Sequence, residues 1–413
     1  MHKYITLLIL IALLTLTTHA QNESSDLVGV RNGALLLVDI DTGTETILNE
    51  AEDNIEFYPF DSNSNGDVLV LALRGFSEGE IRIYDGETGA MRLLTDNLIA
   101  DCPPHFIGDN LVAYVSAEVI ETYETENGFP GTINPVVLHD IETNSITHIQ
   151  NMRIPMALGG GGGSDYAMAM VVDMDYYNPN TYLGDPRFFR VLEDNTVLAG
   201  ASQCLGTIQR IDEESFLSLN VDTLSALSPD FTDLVSLRRF ETQPAIYFTN
   251  TGTGNSFAYP IDNIVQESRI LAVHWAQDDN AYFNSWDITN TAYTLSEDEQ
   301  ATLASNEFTN WDWSISHNVT LYAIQPDNGA INPVTTFNNA FQITRIDSDA
   351  SSLYVSVVPD GTPVIEALRA GELVANSLDD LYSYLYPDIY RIPFGSNQPE
   401  LISPRLQRFI VVE

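Results

Sequence analysis

Glu80-Ile-Arg-Ile-Tyr-Asp-Gly-Glu-Thr-Gly-Ala-Met-Arg-Leu-Leu-Thr95 reads as two short strands joined by an acidic turn. Its aliphatic, β-branched and aromatic residues suit a pleated, half-buried surface, and Asp, Thr and Gly supply the turn. The form recurs. Leu36–Leu48 turns on Asp41-Thr42-Gly43, and Val136–Ile149 turns on Glu142-Thr143-Asn144. Thr42 to Thr88 is 46 residues and Thr88 to Thr143 is 55, the spacing of one four-stranded unit in a radially repeated sheet architecture. The repeat predicts an all-β chain folded as a single β-propeller.

Outward from this stretch, strand patterns separated by Gly, Asn and Asp turns continue from Leu27 to the C-terminus without a Pro/Ser-rich or charged linker. One domain over 21–413 is therefore expected. Seven blades are read, at 27–50, 55–98, 100–151, 153–203, 205–260, 262–337 and 340–404, with six or eight as the neighbouring counts. Leu205–Asn220 is a candidate additional partial blade. The first blade lacks an inner strand, and Arg408–Val412 is a spare strand at the other end. Pairing the two would close the ring by joining the N- and C-terminal strands. Short helical insertions are expected near 296–308 and 363–386. Ser296–Glu299 forms a capping box ahead of Gln300–Phe308, and Pro363 is a first-turn proline before Val364–Ala370. Ser377–Tyr386 fits helix or strand.

Residues 1–20 read as a signal peptide: Lys3, the apolar run Ile5–Leu16, then Thr18-His19-Ala20 before Gln21. The apolar run is short for a membrane span, and no other segment approaches the roughly 18–20 residues a span needs. The mature chain is expected to be secreted or periplasmic, without membrane insertion. The formal net charge is −41, with 58 Asp and Glu against 17 Lys and Arg. Such a chain repels phosphate backbones, which disfavours nucleic acid partners. Cys102 and Cys204 are the only cysteines. An exported chain could pair them, or bury both as small hydrophobes.

Phe57-Tyr-Pro-Phe-Asp61, Gly66-Asp-Val-Leu-Val70, Ile81-Arg-Ile-Tyr-Asp85 with Thr88-Gly89, and Leu93-Leu-Thr95 together resemble one blade of the TolB-like (WD40-like, PD40) propeller superfamily. Leu227-Ser-Pro-Asp230 is similar to that motif's Ser-Pro-Asp core, and Trp313-Ser314 ahead of Leu321–Ile324 is a weaker third instance. The likeness covers about half the chain at blade level. Most blades lack Ser-Pro-Asp-Gly, and no Gly follows Asp230. The resemblance implies an exported propeller that binds proteins or acts as a scaffold. Fused peptidases and lyases of similar fold leave an enzyme open.

Asp61, Asn63, Asn65 and Asp67 have the alternate-residue spacing of a calcium loop, with Gly66 for the sharp turn. Ala72 stands where such a loop carries its closing acid, and an inter-strand turn favours the same residues. Asp173, Asp175, Tyr176 and Asp185 mark a second oxygen-rich loop, with Asn178, Asn180, Tyr177 and Tyr182, able to hold a cation or stack on a sugar. Gly159–Gly163 lacks the lysine of a P-loop. His274, Trp275, Asp278 and Asp279 share one predicted inner segment, and Trp311, Asp312, Trp313 and His317 another. His105, His139 and His148 have no ligand spacing.

No G-x-S-x-G elbow, H-E-x-x-H or paired-cysteine zinc pattern is present. The favoured function is a non-catalytic, monomeric module that binds a protein or carbohydrate ligand on a propeller face. Calcium is the one cofactor suggested. The alternative is a carbohydrate-active hydrolase or lyase using carboxylates in the central channel, which would leave no linear motif.

Overall fold

Strands such as Val68–Arg74 are buried on both faces over Val68–Ala72, as a strand must be when its sheet is covered on each side. A computed structural model of the chain describes residues 25–74, 78–98, 104–107, 109–124, 130–155, 172–173, 189–191, 197–199, 223–228, 233–238, 245–250, 255–261, 264, 272–289, 295–304, 316–372 and 383–412. Those residues form seven antiparallel sheets.

Sheet one joins Phe409–Val412, Asp26–Arg31, Ala34–Asp39 and Glu45–Asn49, in that order. The C-terminal strand therefore enters the first sheet, with Val412 opposite Asp26 and Phe409 opposite Gly29. Sheet two is Glu56–Ser62, Val68–Arg74, Glu78–Tyr84 and Met91–Thr95. Sheet three is His105–Ile107, Leu111–Val115, Pro130–Asp140 and Ser145–Pro155, extended by Glu121–Glu124 and Val172–Asp173. Phe189–Val191 and Val197–Ala199 form a two-stranded fourth sheet. Sheet five is Thr223–Leu227, Asp233–Arg238, Ala245–Asn250 and Ser256–Pro260. Sheet six is Val273–Trp275, Ala281–Thr289, Ser316–Ile324 and Ile331–Asn338. Sheet seven is Ala340–Ser348, Ser352–Pro359, Asp388–Pro393 and Glu400–Ser403.

First strands of successive sheets touch. The contacts run from sheet five through six, seven, one, two and three to Phe189–Val191. First strands are thus innermost, the arrangement of a β-propeller. Apolar clusters fill the seams: Phe57 and Val70 with Val28 and Ile410 between sheets one and two, Leu69 and Ile83 with Phe106 and Tyr114 between two and three. Fully burying such a side chain is worth about 1.5–3 kcal/mol.

One boundary and one residue placement differ from the expectation. Ser145–Pro155 pairs with Pro130–Asp140 as far as Gly131 opposite Pro155, so the third unit runs past 151 and the fourth does not begin at 153. His317 lies on the third strand of sheet six rather than on an inner segment. Leu205–Asn220 lies outside the described residues.

The helical insertions are α1, Glu297–Ala304, and α2, Thr362–Ala370. At α1 the Ser296 amide donates to Glu299 Oε2 at 2.7 Å and the Glu299 amide to Ser296 Oγ at 3.2 Å, a closed capping box. At α2 Pro363 occupies the first turn and Gly371, at φ 72°, ends the helix. Ser383–Leu385 is a 3-10 turn, and 305–308 and 377–382 lie outside the described residues.

Candidate functional site

The acidic hairpin turn is built the same way three times. Asp39 Oδ1 accepts the Thr42 amide at 2.8 Å, Asp85 Oδ1 the Thr88 amide at 2.7 Å, and Asp140 Oδ1 the Thr143 amide at 2.8 Å. Gly43, Gly89 and Asn144 then take positive φ. These hydrogen bonds hold the carboxyls of Asp39, Asp85 and Asp140 below their ordinary value. Each acid completes its own turn.

The Asp61–Asp67 stretch joins two blades. Asp61 Oδ2 accepts the amide of Phe106, on the first strand of sheet three, at 2.8 Å. Asn63 Oδ1 accepts the amides of Asn65 at 3.1 Å and Asp67 at 2.9 Å, while its Nδ2 donates to Asp67 Oδ2 at 2.9 Å and the Asp109 carbonyl at 2.9 Å. Asp67 Oδ1 accepts the Gly86 amide at 3.0 Å, and the Ser64 hydroxyl donates to Asp109 Oδ1 at 2.6 Å. Side-chain oxygens of Asp61, Asn63 and Asp67, three of the four residues expected to face one ion, receive donors from the protein. These bonds are those of an inter-strand turn.

Of the second loop, Asp173 is placed as a strand residue beside Met152. Asp175, Tyr176 and Asp185 lie outside the described residues, as do Gly159–Gly163, Cys102, Cys204 and Trp311–Trp313. His274 and Trp275 do lie on an inner strand. Trp275 packs edge-on against Phe248 at 5.3 Å. His274 Nε2 is 2.9 Å from Ser348 Oγ, and burial pushes the imidazole below its ordinary value. Asp278 accepts the Tyr282 hydroxyl at 2.7 Å. His139 Nε2 meets Asn144 Oδ1 at 2.8 Å, inside a turn.

Acids on the described inner strands are engaged. Glu56 Oε2 accepts from the Tyr58 hydroxyl at 2.8 Å and from Arg408 at 3.5 Å. Asp347 Oδ2 accepts from Arg345 at 3.1 Å and from the Val411 amide at 3.5 Å. Among the described residues no three His, Cys, Asp or Glu side chains form a group able to hold a metal ion.

The two ends of the sheets differ. Because neighbouring strands alternate in direction, the connections after first and third strands lie at one end, and those after second and fourth strands at the other. The first end carries the hairpin turns and the Asp61–Asp67 clasp. The second carries the excursion with Glu121–Glu124 in sheet three, α1 in sheet six and α2 in sheet seven. There Arg369 Nε donates to Glu299 Oε1 at 2.8 Å, tying α2 to α1. The Arg369 guanidinium holds the Glu299 carboxyl down to about 2. Buried Asp360 accepts the His317 amide at 3.2 Å, tying sheet seven to sheet six at the same end. The pooling of insertions on one face has no linear signature beyond the helix caps.

No family model matches the chain, and no curated protein matches it. Among solved structures it is similar to TolB from Acinetobacter baumannii, at TM-score 0.41 and 10% identity over 94% of this chain and 66% of that one, just under two thirds. It is similar to the β-propeller domain of the trilobed protease from Pyrococcus furiosus, at TM-score 0.44 and 10% identity over 92% and 93% of the two chains. A chain of a nidogen/laminin complex gives TM-score 0.40 and 7% identity over 94% and 98%. Among the described residues no helix is long and apolar enough to cross a membrane.

Proposed function

We propose that this chain is an exported, non-catalytic β-propeller that binds a protein partner on the face carrying α1, α2 and the sheet-three excursion. The observation supporting this reading is the collection of every described helix at one end of the sheets, joined by Glu299–Arg369. Turns at the other end are closed by their own side chains. Loops positioned by a rigid scaffold are where recognition concentrates. A net charge of −41 favours a partner with a basic surface, and export rests on the leader at 1–20.

The mature protein, biotinylated, is used to capture partners from its native secretome beside two variants. Glu297→Lys with Glu366→Lys reverses one exposed charge on each helix; Glu87→Lys with Glu142→Lys does the same on two opposite-face turns. Partner capture lost in the first variant alone supports the reading. Equal capture by all three, or reducing ends released from a polysaccharide panel, would instead favour the hydrolase or lyase.

A further inference from the structure

A cleft of about 480 Å³ opens between sheets six and seven, at the end opposite the helices. Its floor is apolar: Leu353 and Ile392 are each 1% exposed and Tyr282 is 5% exposed. Pro333 and Phe394 also line it. Four amide side chains line it, Asn280, Gln325, Asn332 and Asn397. Asn280 Nδ2 donates to Asp278, Gln325 Oε1 accepts Asn328 Nδ2 at 3.0 Å and Asn397 Oδ1 accepts Gln398 Nε2 at 3.1 Å. Asn332 therefore offers both amide functions to a ligand and the other three one each. In a chain with 58 acids, one carboxylate lines it, Asp278, and no Lys, Arg or His does.

Asp278 is already oriented. Its Oδ2 accepts the Tyr282 hydroxyl at 2.7 Å and Asn280 Nδ2 at 2.8 Å, and its Oδ1 accepts the Asn280 amide at 3.2 Å. Burial and this carboxylate raise the Tyr282 phenol, which stays protonated as the donor. An anionic ligand finds no cation here. A hard metal ion finds one carboxylate with two donors on one oxygen, far from the six or more oxygens calcium takes.

We propose that this cleft binds a neutral saccharide. A sugar hydroxyl both donates and accepts, and a carboxamide offers both functions on one planar group. Pro333 and Phe394 offer apolar surface to the C–H face of a ring. The volume falls within the range of about 300–1,000 Å³ typical of small-molecule sites. This inference rests on the binding reading above but uses the opposite face, so the two fail separately.

Saturation-transfer NMR with neutral mono- and disaccharides, and with glucuronate and glucosamine as charged arms, tests it on the mature protein. Asn332 and Asn397 are exposed, so Asn332→Ala with Asn397→Ala should leave melting unchanged. Binding of a neutral sugar that weakens roughly tenfold in this double variant, and is unaltered in Asn65→Ala on a distant turn, is the expected result. No transfer to any neutral sugar overturns the proposal. So does equal binding by wild type and double variant, or preference for the amine or the acid.

Discussion

Asp61 has the spacing of an ion ligand but reaches Phe106, 45 positions away on the next sheet. The Phe106 side chain is 2% exposed, and a buried amide left without its acceptor costs about 1–3 kcal/mol. Asp61→Ala should lower stability by that amount in urea melts. Calcium and EDTA should then shift wild type and variant equally, through screening of the acidic surface. A calcium shift confined to wild type would restore the ion site. The acceptor-rich turn was legible in the sequence. Its partner was not, since the Asp61–Phe106 bond exists only once two sheets are adjacent.

At the scale of the hairpin, sequence carried more. Gly43, Gly89, Asn144 and Gly329 all take positive φ at one place in the turn. Five residues later a bulge leaves Leu48, Leu94, Ile149 and Val334 without a partner across the strand; sheet seven has the bulge too, at Ile402, but seven residues after its positive-φ Gly395. The extra residue rotates the outer strand, so Leu94 is 9% exposed while adjacent Leu93 is 55% exposed. A turn glycine with an aliphatic residue five places on is therefore a legible blade signature, although the sequence reading used only its first half. Gly329 differs from Gly43 in one respect: the Tyr259 ring occupies the space a Cβ would need, whereas nothing lies near Gly43. Both at φ 67°, they share the left-handed strain of about 1–2 kcal/mol on substitution. Gly329→Ala should lose clearly more than Gly43→Ala in parallel denaturation, and equal losses would mean that Tyr259 swings away freely. The turn acids add a pH signature. The folded carboxyls of Asp39, Asp85 and Asp140 titrate below their ordinary 3.8. Their contribution is full above that value and falls away as pH drops through the depressed folded pKa. Asn in their place still accepts the Thr amide but does not titrate. The triple Asn variant should show a flatter loss of urea midpoint below about pH 4, and an unchanged acid limb would count against the turns.

Over the whole molecule, the decisive contact is between the two ends of the described chain. Phe409–Val412 supplies the first strand of sheet one, and Phe409 and Ile410 are 1% and 2% exposed. Phe409 packs with Leu27 and Tyr354 toward sheet seven, and Ile410 with Phe57 toward sheet two. The spare C-terminal strand and the incomplete first sheet were legible by counting strands. The fourth unit was read at 153–203, and Phe189–Val191 and Val197–Ala199 fall within it; its start was misplaced because Ser145–Pro155 pairs on past 151. Truncation after Arg408 removes four core side chains, Phe409, Ile410, Val411 and Val412, the larger ones worth about 2–5 kcal/mol each when cut to Ala, and bares the edge of Asp26–Arg31. That loss is comparable to the whole stability of a typical domain, about 5–15 kcal/mol. The truncated chain should unfold cooperatively at much lower urea, as seen in circular dichroism, rather than shed one sheet. A permuted chain separates closure from mere burial. Val412 lies opposite Asp26, so joining 413 to 25 through a short loop makes the two strands a hairpin, with new termini opened at the exposed Glu87 turn. If non-covalent pairing of the ends closes the molecule, this permutant should fold and match or exceed wild-type stability, because the closing contact becomes local. A permutant that fails to fold, or a truncation that costs nothing, would show that the ends do not close it.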